Sequence, residues 1–226
     1  MKRIDAGLKV FGSNLHRYAL HTLSERGVKR FESDLGVSLP RAYREHLLKV
    51  GYGAGPYYGL FSPRQVMNEL ACDEEYVRDF GCRPNPAGEF PFTREDATRI
   101  CRSVEAGEEE PWGKATYPSH GTIPIAHQGC TYWTMLVTSG ALRGCVWSAA
   151  CYVGYDGLWM PSRRPPTLHT RDAPSCNLTT LPDLPTFDEW FDSWVEAALL
   201  DVRDVRHRSP LRRLADKLFK GPFGDR

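Results

Sequence analysis

LPRAYREHLLKVGYGAGPYYGLF, residues 39–61, decides the fold, because a helical pattern here runs directly into a glycine-rich aromatic corner. Pro40 suits the first position of a helix, where its missing N–H would be unsatisfied anyway. Tyr43, Leu47 and Val50 then fall on one helical face, and Gly51 can adopt the left-handed conformation that ends a helix. The residues that follow predict an irregular turn: Gly53, Gly55, Pro56, Tyr57 and Tyr58.

The glycines of this corner do not form a nucleotide-binding motif. A P-loop requires a Lys and a Ser or Thr directly after its last glycine, and none follows Gly59. A dinucleotide-binding motif requires a strand before its glycines, whereas a predicted helix precedes Gly51. A structural role therefore explains the glycine spacing.

Helical patterns with recognisable ends surround the corner. Residues 28–35 place their apolar side chains on one face and stop at Gly36. Ser62 and Gln65 form a capping box that starts a helix through residue 70. The other segments of the first half are predicted as a short helix at 15–23, an irregular segment at 81–92 and a capped helix at 93–102.

The second half of the chain has the patterns of strands. Residues 123–126 predict one strand, and residues 132–138 and 144–149 predict a hairpin around the turn at 139–143. A further strand is predicted at 158–160. Helices followed by strands predict an α+β fold with a mainly antiparallel sheet.

A closing helix is predicted over residues 188–200. Thr186 and Glu189 form its capping box. We expect its apolar stripe to pack on one face of the sheet. The stripe consists of Trp190, Phe191, Trp194, Val195, Ala198 and Leu199.

The order of these blocks resembles the SUKH superfamily, whose Smi/Knr-type domain occurs in yeast cell-wall regulators and bacterial toxin-immunity proteins. The blocks that carry the resemblance are a helix ending in Leu35-Gly36, the LPRAYREHLL helix, and the turn from Gly51 to Leu60. Later blocks match at residues 124–125, 129–130, 136–137, 140 and 144–147, followed by the tryptophan-rich helix. The best match spans about residues 28–200, so the resemblance implies a SUKH-type domain over residues 1–200.

The resemblance also implies a non-catalytic protein-binding domain rather than an enzyme. By likeness to the bacterial members, we expect an immunity protein that binds and neutralises a polymorphic toxin, with a nuclease or a deaminase domain as the partner. The alternative is a regulatory or scaffold module like the cell-wall-linked members. Tight binding to one partner would favour the immunity protein, and weak binding to several partners would favour the regulatory or scaffold module.

Composition predicts a globular chain without a strong overall charge. Apolar residues make up 41% of the sequence and the formal net charge is +1, so neither nucleic acid nor a membrane is favoured as a partner. The start at residues 1–4 is not followed by the apolar core of a signal peptide. We therefore expect a cytoplasmic protein in which the seven scattered cysteines are thiols.

The sequence offers little catalytic or metal-binding chemistry. His127 and Cys130 are the closest His/Cys pair, with His120 upstream, but a zinc site normally needs a second tight pair of ligands. A Cys–His nucleophile would need a base nearby in space and a lowered thiol pKa, which the sequence does not show. We expect no catalytic residue, no metal and no cofactor.

Two groups of residues are predicted to contact a protein partner. Tyr57 and Tyr58 lie in a turn where at least one ring is expected to be exposed, and tyrosine is enriched at binding hot spots. An acidic cluster is either a solvated loop or a contact surface that attracts a basic partner. The cluster consists of Glu105, Glu108, Glu109 and Glu110.

Residues 201–226 form a basic extension. Apolar residues recur at helical spacing after Pro210, which predicts a basic amphipathic helix. Three roles stay open for it: packing on its own domain, contact with a membrane surface, and contact with nucleic acid. Packing on its own domain is favoured, because four aspartates interleave with the basic residues.

Overall fold

A computed structural model describes residues 3–71, 84–106, 120–129, 132–150, 159–162 and 184–207 of the chain. The helices in these ranges are α1 (Ser13–His16), α2 (Glu25–Leu35), α3 (Arg41–Lys49), α4 (Pro63–Ala71), α5 (Arg94–Glu105) and α6 (Phe187–His207). The strands are β1 (Leu20–His21), β2 (Tyr52–Gly53), β3 (Thr122–Gly129), β4 (Tyr132–Val137), β5 (Val146–Ala150) and β6 (Trp159–Pro161). The predicted α+β class is confirmed.

Strands β3 to β6 form an antiparallel sheet in chain order. The predicted hairpin is β4–β5, in which Leu136 pairs with Val146. Strand β3 is longer than predicted and carries two irregularities in its pairing with β4. Single bridges join Leu60 to Gly53 on one side and to Ala126 on the other, so the glycine corner is attached to the edge of the sheet.

Hydrophobic clusters cover both faces of this sheet. Because neighbouring residues of a strand point to opposite faces, Leu136 packs in one cluster and Met135 in the other. The first cluster joins the sheet to helices α2, α3, α4 and α6 through Val28, Phe31, Tyr43, Leu47, Val66, Phe187 and Trp190. The second joins it to α5 and the segment before α5 through Phe90, Phe92, Ala97 and Ile100. The predicted packing of the closing helix on the sheet holds for Trp190 at its start. Trp194 and Ala198, further along the predicted stripe, pack instead against Val10 in a separate cluster.

The helix ends follow the local signals in the sequence. Gly36 ends α2 with a φ of 70°. The Ser62 amide donates to the Gln65 Oε1 at 2.9 Å and the Gln65 amide donates to the Ser62 Oγ at 3.3 Å, so this capping box is formed. At Thr186 the amide donates to a carboxylate oxygen of Glu189 at 2.8 Å, which is one of the two bonds of the predicted box. Helix α3 begins one residue later than predicted, with Pro40 as its N-cap.

The predicted helix at residues 15–23 is wrong. Helix α1 ends at His16, and Arg17 and Tyr18 follow with φ angles of 47° and 57°. Leu20 then pairs with Gly53 as part of β1. The apolar residues that suggested a helical face are not buried, since Leu15 is 63% and Leu20 is 49% exposed. Pairing with a distant strand therefore overrides the local helical pattern.

The N-terminal segment packs against the second half of α6. Val10 lies in one buried cluster with Trp194, Ala198 and Val202. Asp5, only 3% exposed, organises this segment by accepting hydrogen bonds from the Lys9 and Val10 amides and from the Tyr18 hydroxyl at 2.9, 3.1 and 2.7 Å. Burial would raise the pKa of Asp5, but these hydrogen bonds outweigh it and hold the pKa below its usual value.

Replacing Asp5 by Ala should destabilise the protein by about 1–2 kcal/mol at pH 7, because buried donors lose their acceptor. A carboxylate with a lowered folded pKa stabilises above its unfolded pKa and loses that effect as pH falls through the folded value. The difference between wild type and variant, measured by urea unfolding, should therefore shrink below pH 3.8. Asp34→Ala, at an exposed position, is the control. It should change stability by less than about 0.5 kcal/mol both at pH 7 and below pH 3.8.

Candidate functional site

The glycine corner is a loop closed at its neck by two backbone hydrogen bonds. The Gly53 amide donates to the Leu60 carbonyl at 3.0 Å, and the Leu60 amide donates back to the Gly53 carbonyl at 2.9 Å. Within the loop, the Gly59 amide donates to the Pro56 carbonyl at 2.9 Å. Bonds across the neck and within the loop restrain the corner, so side chains on it are held in fixed positions.

The two tyrosines of the corner have different surroundings. Tyr57 adopts a φ of 55°, belongs to the main core cluster and is 8% exposed. Tyr58 is 40% exposed. The expectation that at least one ring is exposed is confirmed. Tyr58 therefore offers the accessible surface of the predicted pair, while Tyr57 holds the corner against the core.

Tyr58 belongs to a row of side chains that sequence analysis did not identify. Its ring centroid lies 5.4 Å from that of Phe11 and 6.2 Å from that of His127, with which it is stacked. His127 meets Trp133 edge to face at 4.9 Å. The Trp133 Nε1 donates to a carboxylate oxygen of Glu69 at 3.3 Å. We call Phe11, Tyr58, His127 and Trp133 the aromatic row.

The end of β3 passes close to the Tyr58 ring at Gly129, a residue with no side chain to occupy that space. Gly129 ends β3 with a φ of 108°, and a Cβ there would lie 3.3 Å from the Tyr58 hydroxyl oxygen. The Gly129 amide donates to the His127 Nδ1 at 3.1 Å, which fixes the imidazole that stacks on Tyr58. The row joins the N-terminal segment, the glycine corner and the end of the sheet.

The side chains of the acidic cluster all lie outside the described part of the chain. Glu105 is the last residue of α5, and its side chain is outside the described part of the chain. Glu108, Glu109 and Glu110 also lie outside the described residues. Their contact with a partner stays a prediction.

The two histidines considered for metal binding or nucleophilic catalysis, His120 and His127, have structural partners. His120 accepts a hydrogen bond from the Asn85 amide at 3.2 Å, and Cys130 lies outside the described residues. Across the described ranges no group of three or more His, Cys, Asp or Glu side chains could hold a metal ion. Cys101 and Cys145 are buried thiols. Burial raises the pKa of Cys145, which opposes formation of a thiolate.

A groove between α3 and α6 contains the half-buried His46. The His46 ring lies edge to face against Phe187 and Phe191, with centroids 5.0 and 4.5 Å apart. Its Nε2 is buried without a hydrogen-bond partner. Burial lowers the pKa of His46 to about 4, although a hydrogen bond with the Gly51 backbone raises it. His46 is therefore neutral at physiological pH.

This histidine should make the protein less stable as pH falls. Because the unfolded chain takes up the proton near pH 6.5 and the folded chain only near 4, stability declines across that window. His46→Leu should reduce the decline, measured as urea unfolding midpoints between pH 7 and 4. His16 and His120 remain in this variant, and because burial lowers their pKa values too, they account for the rest of the decline in stability. His21→Leu, on the exposed strand β1, is the control, and an unchanged decline in His46→Leu would contradict the prediction.

The fold and site define a small α+β domain that presents a fixed row of aromatic side chains at the edge of its sheet. The model of the SMI1 / KNR4 family (SUKH-1) matches residues 22–193. The chain therefore belongs to the SMI1 / KNR4 (SUKH-1) family. Neither the curated proteins nor the solved structures contain a match. Among the described helices, none is long and apolar enough to cross a membrane.

Proposed function

We propose that this protein is a non-catalytic immunity protein that binds a bacterial toxin domain and blocks its active site. Membership of the SUKH-1 family supports a protein-binding role. The observation that carries the proposal is Tyr58, a large ring that is 40% exposed and yet held between Phe11 and His127. The aromatic row is then the centre of the interface.

A ring that is already held in place suits tight binding. Association must offset the loss of side-chain freedom at the interface, about 0.5–1.5 kcal/mol for each mobile side chain. Tyr58 has lost much of that freedom in the free protein, because two rings and the glycine corner restrain it. Its exposed face and hydroxyl can therefore fill a pocket on the partner at little entropic cost, which is how a few tyrosines dominate many interfaces.

The partner and the compartment follow from the same proposal. The acidic cluster formed by Glu105 and residues 108–110 would attract a cationic toxin domain, such as that of a nuclease, and speed its association. A deaminase domain is the other expected partner class. The encounter takes place in the cytoplasm, where the buried thiols Cys101 and Cys145 stay reduced.

The proposal is tested with the tagged full chain expressed in its native host. Proteins that remain after a high-salt wash are identified, and a recovered partner with a toxin domain is assayed with increasing amounts of this protein. We expect complete inhibition at a one-to-one ratio with slow dissociation. A toxin that stays fully active at saturating concentration would exclude the immunity role. Several weakly held partners would favour the regulatory module instead.

A further inference from the structure

The groove between α3 and α6 has an apolar floor and an acidic side formed by α6. It encloses about 230 Å³, which is room for one or two side chains. The rings of His46, Phe187 and Phe191 form its floor, and Asp188 and Asp192 line its α6 side. It is separate from the aromatic row, whose residues do not line it.

The acidic character continues along the exposed side of α6. Asp188, Asp192 and Glu196 follow each other at four-residue intervals and are all exposed, so they lie on one face of the helix. Leu200 extends the same face and is 64% exposed. We call Asp188, Asp192, Glu196 and Leu200 the acidic stripe. Among the described residues none of the three carboxylates forms an ion pair.

Among the described residues, the basic side chains on the α3 side of the acidic stripe pair with a carboxylate of their own helix. Lys49, which lines the opposite side of the groove, is paired with Glu45 at 2.9 Å. Arg41 is paired with the same Glu45 at 2.8 Å. Arg41 and Lys49 therefore offset the carboxylate of Glu45, and the third cation of α3, Arg44, pairs with Glu25 and Glu32. The stripe is the described part of this surface that fits a basic ligand.

We propose that residues 208–226 of this chain bind along the acidic stripe and into the groove. This segment has the complementary chemistry, with six basic residues against two aspartates. It also carries five large apolar residues that can cover Leu200 and enter the groove: Leu211, Leu214, Leu218, Phe219 and Phe223. The inference is independent of the proposed function, because it concerns a different face of the molecule.

The position of the segment in the chain makes this contact reachable. It follows directly on His207, where α6 ends. The groove lies near residue 190, about 26 Å back along the helix at a rise of about 1.5 Å per residue. Phe223, the last apolar residue of the segment, lies 16 residues beyond His207, a distance of about 24 Å if helical and about 53 Å if extended. Attachment to the same helix also gives the segment a high effective concentration at the stripe.

The test places a photo-crosslinking p-benzoylphenylalanine at position 214 in the full chain. Irradiation at low protein concentration is followed by peptide mapping of the monomer. We expect crosslinks to peptides that contain residues 42–50 or 187–200. The double substitution Asp188→Lys with Asp192→Lys should lower their yield about fivefold, since it replaces two attractive charge pairs with repulsion. Adding Lys217→Glu and Lys220→Glu, which lie further along the segment and nearer to positions 188 and 192, should restore the yield.

The control is the double substitution Asp34→Lys with Glu95→Lys, which reverses two exposed carboxylates on α2 and α5. Its crosslink yield should equal that of the wild type, and circular dichroism should show that all variants fold. Crosslinks to any other surface, a yield unaffected by charge reversal, or crosslinks within dimers would each overturn the proposal. So would attachment of position 214 to co-purified lipid or nucleic acid in place of α6.

Discussion

Gly59→Ala is expected to destabilise the domain by about 3 kcal/mol or more, a loss that few single substitutions reach. Two effects add at this position. Gly59 has a φ of 100°, a conformation that residues with a Cβ rarely adopt. A Cβ at Gly59 would also lie 1.9 Å from the Gly53 carbonyl oxygen. That oxygen accepts the hydrogen bond that closes the neck of the corner, so the loop has to open before the new methyl group fits.

Gly36→Ala separates the two effects. Gly36 also has a positive φ, 70°, but a Cβ there would have no atom within 4 Å. Its substitution should therefore cost only the left-handed conformation, about 1–2 kcal/mol. Urea unfolding of both variants measures the difference. Equal losses at the two positions would show that the corner relaxes around an added methyl group, and would contradict the geometry of the closed neck.

The features that sequence analysis predicted correctly are the ones that depend on neighbouring residues. The capping boxes at Ser62 and Thr186 each involve a partner three residues away. The end of α2 needs only the conformational freedom of Gly36. Such short-range signals are readable in a single sequence because the partner lies within one turn of helix.

The failures involve partners far apart in the chain. Leu20 looked helical, but its pairing partner Gly53 lies in another strand. The aromatic row joins Phe11, Tyr58 and His127, which no periodic pattern connects. The sequence also treats Tyr57 and Tyr58 alike, whereas the positive φ of Tyr57 accompanies its burial. Exposure at an irregular turn depends on backbone geometry, so residue type alone identified the pair but not the exposed member.

The stability of the corner and the proposed binding role are linked through one side chain. Tyr58 directly precedes Gly59, so a substitution that opens the neck also displaces the exposed ring. A loss of binding in Gly59→Ala would therefore not identify the interface. A change that removes the ring and leaves the corner closed is needed, and Tyr58 allows it because its side chain is outside the main core cluster.

Tyr58→Ala is expected to weaken binding to the recovered toxin partner by about 2–4 kcal/mol, at least about thirtyfold in Kd, as for a central aromatic hot spot. The loss should appear mainly as faster dissociation, measured by surface plasmon resonance. Stability should fall by less than about 1 kcal/mol, because the ring is 40% exposed. Tyr58→Phe keeps the ring between Phe11 and His127 and removes only the hydroxyl. A smaller loss of affinity in Tyr58→Phe than in Tyr58→Ala would measure how much of the binding comes from the ring and how much from a hydrogen bond of the hydroxyl to the partner.

Tyr132→Ala is the matched control, since Tyr132 is 45% exposed and, among the described residues, no ring contact joins its side chain to the aromatic row, although its backbone pairs with Gly129. Its affinity for the toxin should stay within about threefold of the wild type, as at most positions in or around an interface. If Tyr132→Ala and Tyr58→Ala weaken binding equally, the interface is centred on the end of the sheet rather than on the glycine corner. If neither weakens it, the aromatic row is not the toxin-binding surface, and the acidic cluster at Glu105 becomes the next region to substitute.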